Sequence, residues 1–321
     1  MAVAGEAEAF RQEALDRLRA GEVDGGARAL ALGWRAFPTE DLFPTALIAV
    51  LRAHPERFLP MVPRSADSAG SVSVVICSAD DDRFASARRS LEGALEPHGG
   101  EFIRIADARS LAEGYQRGLQ QAHGEIVVFS HDDVRVLSVG LGAALRHALD
   151  RVDLVGVVGT TRLTGAAWGW SGRPFGRGRI VQPHPAGIGA GLHLLSFSEP
   201  VTAGLQALDG AFFATRRETA QRLGFDSNAF DGFHLYDLDF SFRAARSGLR
   251  VGVSHDILLC HDSLGDYGPE WRSYAERFRA KFEMGWVEQS GTPLPPPVMF
   301  TDAEEAASAC LRLDAVCRSL G

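Results

Sequence analysis

The stretch Glu125–Val134, EIVVFSHDDV, decides how this sequence is read. An apolar run, Ile126–Phe129, breaks abruptly into Ser130, His131, Asp132 and Asp133. A run this short, with β-branched residues, reads as a strand buried on both faces, as in parallel sheets. Ligands of open parallel sheets sit just beyond the carboxyl ends of the strands. Two adjacent carboxylates there repel each other unless something positive lies against them. A divalent cation carrying phosphates supplies that charge. The same residues also suit a polar turn with a helix N-cap, so the segment by itself leaves both readings open.

Working outward, the preceding chain repeats the pattern. Residues 72–77, VSVVIC, break into Ser78, Ala79, Asp80, Asp81 and Asp82, and residues 101–106, EFIRIA, end at Asp107. Helices are expected at Phe84–Leu95 and Leu111–Ala122. This strand–helix rhythm implies a parallel sheet with right-handed crossovers and polar groups converging on one rim. Downstream, the spacing predicts a helix over Val134–Leu149 and a strand over Leu154–Gly159. Residues 163–191 are glycine-rich, with Trp168 and Trp170 among them. They read as a lid whose indoles stack on a sugar or base, or as a loop buried against the sheet.

Leu205–Thr215 reads as a strand with Asp209-Gly210 inside it, and a carboxylate there requires a partner or a cleft. Arg216, Arg217 and Glu218 open a helix. Another runs from Asp237 through Arg246, where Asp237 and Asp239 also complement the helix dipole. Leu249–Val253 is expected to be a last strand, with His261 just past a further apolar run. A helix over Trp271–Trp286, a proline-rich break at Thr292–Pro297 and a helix over Thr301–Leu320 complete the chain. At the other end, residues 1–60 read as helices punctuated by Pro38, Pro44 and Pro55, with a faint likeness to a tetratricopeptide unit. Met61–Gly70 reads as a linker. The expected partition is a helical region over 1–65, a main domain over 70–290 and a C-terminal segment over 291–321.

Bulk properties narrow the function. A net charge of −8, with Lys281 the only lysine, argues against nonspecific nucleic-acid binding. Cys77, Cys260, Cys310 and Cys317 show no CxxC spacing and suit free thiols in a reducing compartment. No stretch approaches the roughly 18 apolar residues of a membrane span. The first residues lack a basic segment followed by an apolar one, so no signal peptide is expected and the expected location is cytoplasmic.

The segments LAEGYQRGLQQAHGEIVVFSHDDV, VGVVGTTRLTGAAWGWSG, LDGAFFATRRE, LGFDSNAFDGFHLYDLDFSFRAARSGLRVGV and LCHDSLG, with the later FRAKFEMGW, follow one another between about Ser71 and Trp286. In that order they resemble family 2 glycosyltransferases of the GT-A fold. The closest resemblance is to the branch with His-Asp-Asp-Val in place of the usual Asp-x-Asp. The resemblance implies an α/β fold, Rossmann-like, with a mostly parallel central sheet flanked by helices. It implies a nucleotide-sugar donor, a UDP-sugar favoured, and a glycan, protein or small-molecule acceptor.

Residue by residue, it implies a divalent metal, Mn²⁺ or Mg²⁺, on Asp133 and His261, with His131 as a third ligand or a hydrogen-bond donor to the sugar nucleotide. Asp132 would contact ribose or assist the ion. Asp237 would be the base of an inverting transfer, although Tyr236 stands where the family has glutamate, and Asp239 is the runner-up. Asp209 and Gly210 would face donor sugar or acceptor, with Trp170 in the loop above. Cys77, Ser78, Asp80, Asp107 and Gln116 would hold the nucleoside.

Three other readings compete. A sugar nucleotidyltransferase would carry a glycine-rich basic loop where this chain has SADDDR. A metal-dependent phosphohydrolase would need further histidines. A catalytically idle domain of the same fold would act as a binding module.

Overall fold

The computed structural model describes residues 2–61, 70–263, 265, 267–285 and 292–320. The chain opens with three helices, α1 (Ala2–Arg19), α2 (Val23–Ala36) and α3 (Leu42–Ala53), as their apolar spacing predicts. There follow β1 (Val72–Cys77), α4 (Asp81–Leu95), β2 (Glu101–Ile105), α5 (Leu111–Gln121) and β3 (Ile126–Ser130). Next come β4 (Val134–Val136), α6 (Leu141–Leu149), β5 (Leu154–Gly156), β6 (Val158–Thr160), β7 (Gly176–Pro183), β8 (Ala190–Leu194) and β9 (Val201–Ala203). The remainder comprises β10 (Ala207–Leu208), β11 (Phe212–Arg216), α7 (Arg217–Leu223), α8 (Tyr236–Arg246), β12 (Val251–Ser254), β13 (Leu259–His261), α9 (Pro269–Phe282), β14 (Val298–Phe300) and α10 (Ala303–Arg318).

β1 pairs in parallel with both β2 and β3, with Val75 opposite Phe129 and Ile76 opposite Ser130. All of β3 is buried, so its apolar side chains fill both faces and the chain turns polar only where the strand runs out. The helices of this half are capped from the loops that follow the strands. Asp80 accepts from the Asp82 and Arg83 N–H groups, each at 2.9 Å, and Ser110 accepts from Glu113 at 3.0 Å. The central sheet has the order β2-β1-β3-β11-β5-β12-β9, and β11 enters antiparallel to both β3 and β5. A second sheet, β10-β6-β7-β13-β4 with β8 and β14 beside β7, stands next to it. α1–α3, α10, β8 and parts of β7, β13 and β14 share one buried apolar cluster. A buried bidentate pair, Arg179 to Asp314 at 2.7 and 2.8 Å, ties α10 to β7.

Several expectations are corrected. The helix expected from Val134 begins only at Leu141, and Val134–Val136 instead forms β4, paired antiparallel with β13. Leu154–Gly159 divides at Val157, β5 lying in the central sheet and β6 in the second. Residues 163–191 are not one loop but contain a 3₁₀ turn at Trp168–Ser171 and the long strand β7. The glycines serve close approach there. Gly178 has φ +93°, and a Cβ on it would come within 1.9 Å of the Val157 carbonyl oxygen. Asp209-Gly210 lies between β10 and β11 rather than inside a strand, and β13 and β14 follow the strand expected to be last. The linker core at 62–69 and Trp286 lie outside the described residues.

Candidate active site

The antiparallel register of β4 with β13 places His261 opposite Val134, beside the end of β3. The Asp262 N–H donates to the Asp133 carbonyl at 3.1 Å, which fixes the two segments together. Three donor atoms converge as a result. Asp133 Oδ1 lies 3.3 Å from His261 Nε2 and 3.8 Å from His131 Nδ1, and the two ring nitrogens are 3.4 Å apart. Metal–ligand bonds of about 2.0–2.2 Å place neighbouring ligand atoms about 3–3.6 Å apart, close to these separations. Asp133 Oδ1 is buried without a hydrogen-bond partner, although a buried carboxylate oxygen ordinarily has one. These residues therefore fit a divalent cation. His131, Asp133 and His261 form the one such cluster among the described residues.

The electrostatics agree. Burial acts to raise the Asp133 pKa, but His261 and His131 beside it hold the carboxyl well below the usual carboxylate range. Burial, then the neighbouring His261, lowers the His131 pKa. Burial also disfavours charge on His261, but Asp133 and then Asp209 outweigh it and raise its pKa. Arg83, about half exposed, reaches both Asp132 and Asp133 at 3.4 and 3.3 Å.

A cavity of about 340 Å³ opens from this cluster and is lined by Asp209, Asp237, Trp168, Phe233, Tyr267 and Trp271, among others. Its floor depends on two backbone features. Leu235 adopts the left-handed conformation, φ 62°, immediately before α8 and so turns Tyr236 and Asp237 back toward Gly210. A Cβ on Gly210 would come within 2.4 Å of the Tyr236 hydroxyl and 2.8 Å of Asp237. The Trp168 indole donates to Asp209 Oδ2 at 2.9 Å, and the Ala211 N–H donates to Oδ1 at 2.9 Å. Asp237 has no such cationic or indole partner among the described residues. Burial, then the charge of Asp209, raises its pKa to about 7 against the backbone N–H groups of Leu238, Asp237 and Gly210.

A second cavity, about 290 Å³, is lined by Cys77, Ser78, Ala108, Leu111, Asp132 and Asp133, and shares His131 and Phe233 with the first. Burial pushes the Cys77 thiol up to about 12, so it lines this space as a neutral group. The other residues expected at the nucleoside are engaged elsewhere. Asp80 caps α4, Asp107 is exposed and paired with Arg117, and the Gln116 side-chain oxygen accepts from the Phe225 N–H at 2.9 Å. Trp170 packs on Tyr267 and Trp271, with centroids 6.4 and 5.2 Å away, and Trp168 is the tryptophan that reaches the carboxylate. Asp239 faces away from the cavity, paired with Arg243 at 2.9 Å and Lys281 at 2.6 Å. Sequence reasoning missed Ser263, whose hydroxyl lies 2.9 Å from His261 Nε2, and Arg83, which stood in SADDDR as one basic residue among acids.

Residues 73–266 match the model of the family described as "Glycosyltransferase like family". The chain belongs to that family. The match takes in β1 through His261 and so contains every residue of both cavities except Tyr267, Trp271 and Leu294. No curated protein matches the sequence. Among solved structures the chain is similar to the mannosyltransferase PcManGT from Pyrobaculum calidifontis in complex with GDP-Man and Mn²⁺. Identity is 17%, coverage is 92% of this chain and 86% of that one, and the TM-score is 0.43. It is also similar to S. aureus TarS 1-349 in complex with UDP, at 13% identity, covering 59% and 60% of the two chains with a TM-score of 0.37. All four cysteines are free, and no helix among the described residues is long and apolar enough to cross a membrane.

Proposed function

We propose that this protein transfers a sugar from a nucleotide donor to an acceptor hydroxyl by a single inverting displacement, with Asp237 as the base. The observation that carries the reading is Asp237 itself. It is a partly buried carboxylate without a cationic partner among the described residues, its pKa is raised to about 7, and it lines the cavity that adjoins His131, Asp133 and His261. A base poised near the working pH is what deprotonation of an alcohol calls for. The acceptor oxygen bonds to the anomeric carbon as the bond from that carbon to the diphosphate breaks. The acceptor proton passes to Asp237, and the nucleoside diphosphate leaves with the bonding pair.

The segment His131-Asp132-Asp133 stands in for the usual Asp-x-Asp. With His261, His131 and Asp133 would hold the cation, and two imidazoles favour Mn²⁺ over Mg²⁺. Bound there, a divalent cation neutralises charge that develops on the leaving diphosphate. Arg83 is the side chain placed to move from the two aspartates onto the same phosphates. The smaller cavity, walled by Cys77, Ser78 and Leu111, takes the nucleoside, and a UDP-sugar is the favoured donor. Asp209, held by Trp168, orients hydroxyls of the sugar or acceptor. The lining of the larger cavity contains aromatic rings and two carboxylates but no lysine or arginine among the described residues. That composition suits a neutral acceptor with an apolar ring face, such as a glycan, better than a phosphorylated one.

The test is a panel of nucleotide sugars with Mn²⁺ or Mg²⁺, read as melting temperature and as nucleotide released with neutral glycosides present. At least one donor should raise Tm only with metal and be turned over. If every donor left Tm unchanged with either ion, the transferase reading would fail.

A further inference from the structure

Tyr236 is buried at the first position of α8, and its hydroxyl lies between two polar groups. His131 Nε2 is 2.6 Å away on one side, and the Gly210 carbonyl oxygen is 3.1 Å away on the other. A carbonyl oxygen only accepts hydrogen bonds, so for both contacts to be hydrogen bonds the single phenolic proton must point to Gly210. The phenolic oxygen is then an acceptor toward His131, and the proton of that bond must sit on Nε2. A histidine binds a cation through a lone pair, so with the proton on Nε2 the atom left to act as ligand is Nδ1. Nδ1 is the atom that faces His261 Nε2 and Asp133 Oδ1 at 3.4 and 3.8 Å.

We propose that Tyr236 is a positioning residue that sets the tautomer and orientation of His131, so that Nδ1 is presented as a metal ligand. The proposal rests on the reading of His131, Asp133 and His261 as a metal site. The relay runs from the Gly210 carbonyl through the Tyr236 hydroxyl to the His131 ring. Two of its members are covalently next to residues with proposed roles, since Gly210 follows Asp209 and Tyr236 precedes Asp237. A hydrogen bond on the far nitrogen of a ligating histidine normally fixes its tautomer and strengthens the ligand. Here a tyrosine occupies that place, with a backbone carbonyl behind it. Gly210 is part of the device, because a side chain there would collide with the hydroxyl.

The test uses the full chain labelled with ¹⁵N-histidine. In the metal-free wild type, the His131 resonances should show a protonated Nε2 and an unprotonated Nδ1. Tyr236→Phe keeps the ring and removes the relay. It should retain a cooperative thermal transition, lose that fixed tautomer and bind Mn²⁺ about 10–100-fold more weakly by titration calorimetry. An Nδ1-protonated His131 in the wild type would overturn the proposal without any need of the variant. So would a Tyr236→Phe protein that matched the wild type in both tautomer and Mn²⁺ affinity. A wild type that showed the Nε2–H tautomer but bound no Mn²⁺ would instead overturn the metal reading beneath it.

Discussion

Asp237 and Asp239 stand two residues apart in the first turn of α8, yet their surroundings are opposite. Asp239 is 1% exposed and is held by Arg243 and Lys281, with Lys281 also bound to Asp226. Asp237 turns the other way, toward the cavity, where burial and then the like charge of Asp209 raise its pKa to about 7. A buried charge that is fully paired serves to join elements, here α8 to α9. A carboxylate kept from water without a counter-charge is held ready to take a proton. The contrast supports the proposal that Asp237 does the chemistry, whereas Asp239 joins α8 to α9.

The most severe way to break this comparison is Asp237→Asn. Turnover should fall by about 10²–10⁴-fold, the range for losing a general base, while metal-dependent donor affinity stays unchanged. Asp239→Ala should do the converse, lowering stability by about 1–3 kcal/mol because Arg243 and Lys281 each lose a charged partner while keeping Leu223, Gly224 and Asp226. Denaturant unfolding measures that loss. Trp168→Phe removes one donor to a carboxylate and should cost about 1.5–3 kcal/mol in kcat/KM, with Tm little changed. Asp107→Ala, at an exposed surface pair, should leave turnover and Tm as they are.

The same contrast appears in the pH dependence of stability. The Asp237 carboxyl gives up its proton at about 7 in the folded chain and near 4 when unfolded. Between those values the folded state binds more protons, so the group's contribution falls as pH rises and is lowest above about pH 7. At roughly 1.4 kcal/mol per pH unit the cost is at most about 4 kcal/mol. Asp237→Asn should therefore melt higher than the wild type at pH 8, with the gap closing toward pH 4. A gap independent of pH would contradict the burial of an unpaired acid.

What the sequence made legible is local. The EIVVFSHDDV strand end, the alternation through β1, β2 and β3, and the acidic first turn of α8 are all written in neighbouring residues. What it hid depends on pairing across the chain. Asp133 meets His261 because β4 pairs with β13, and Val134–Val136 was expected to be helix since its apolar spacing suits either period. Asp80 and Gln116 stood at the right strand and helix but have their hydrogen bonds taken by backbone N–H groups. Tyr236 counted against the family pattern as a missing glutamate. Its contact with His131 spans 105 positions and has no trace in local sequence. Trp168 and Trp170 differ only in which one the 3₁₀ turn aims at Asp209.

The most direct test of the role given to Asp237 is the single-turnover transfer rate as a function of pH, at saturating donor and Mn²⁺. The wild-type rate should rise about tenfold per pH unit below pH 7 and level off above it, while the residual rate of Asp237→Asn should show no such step. A wild-type profile flat from pH 5 to pH 9, or an Asp237→Asn enzyme that kept both the rate and the step, would contradict it.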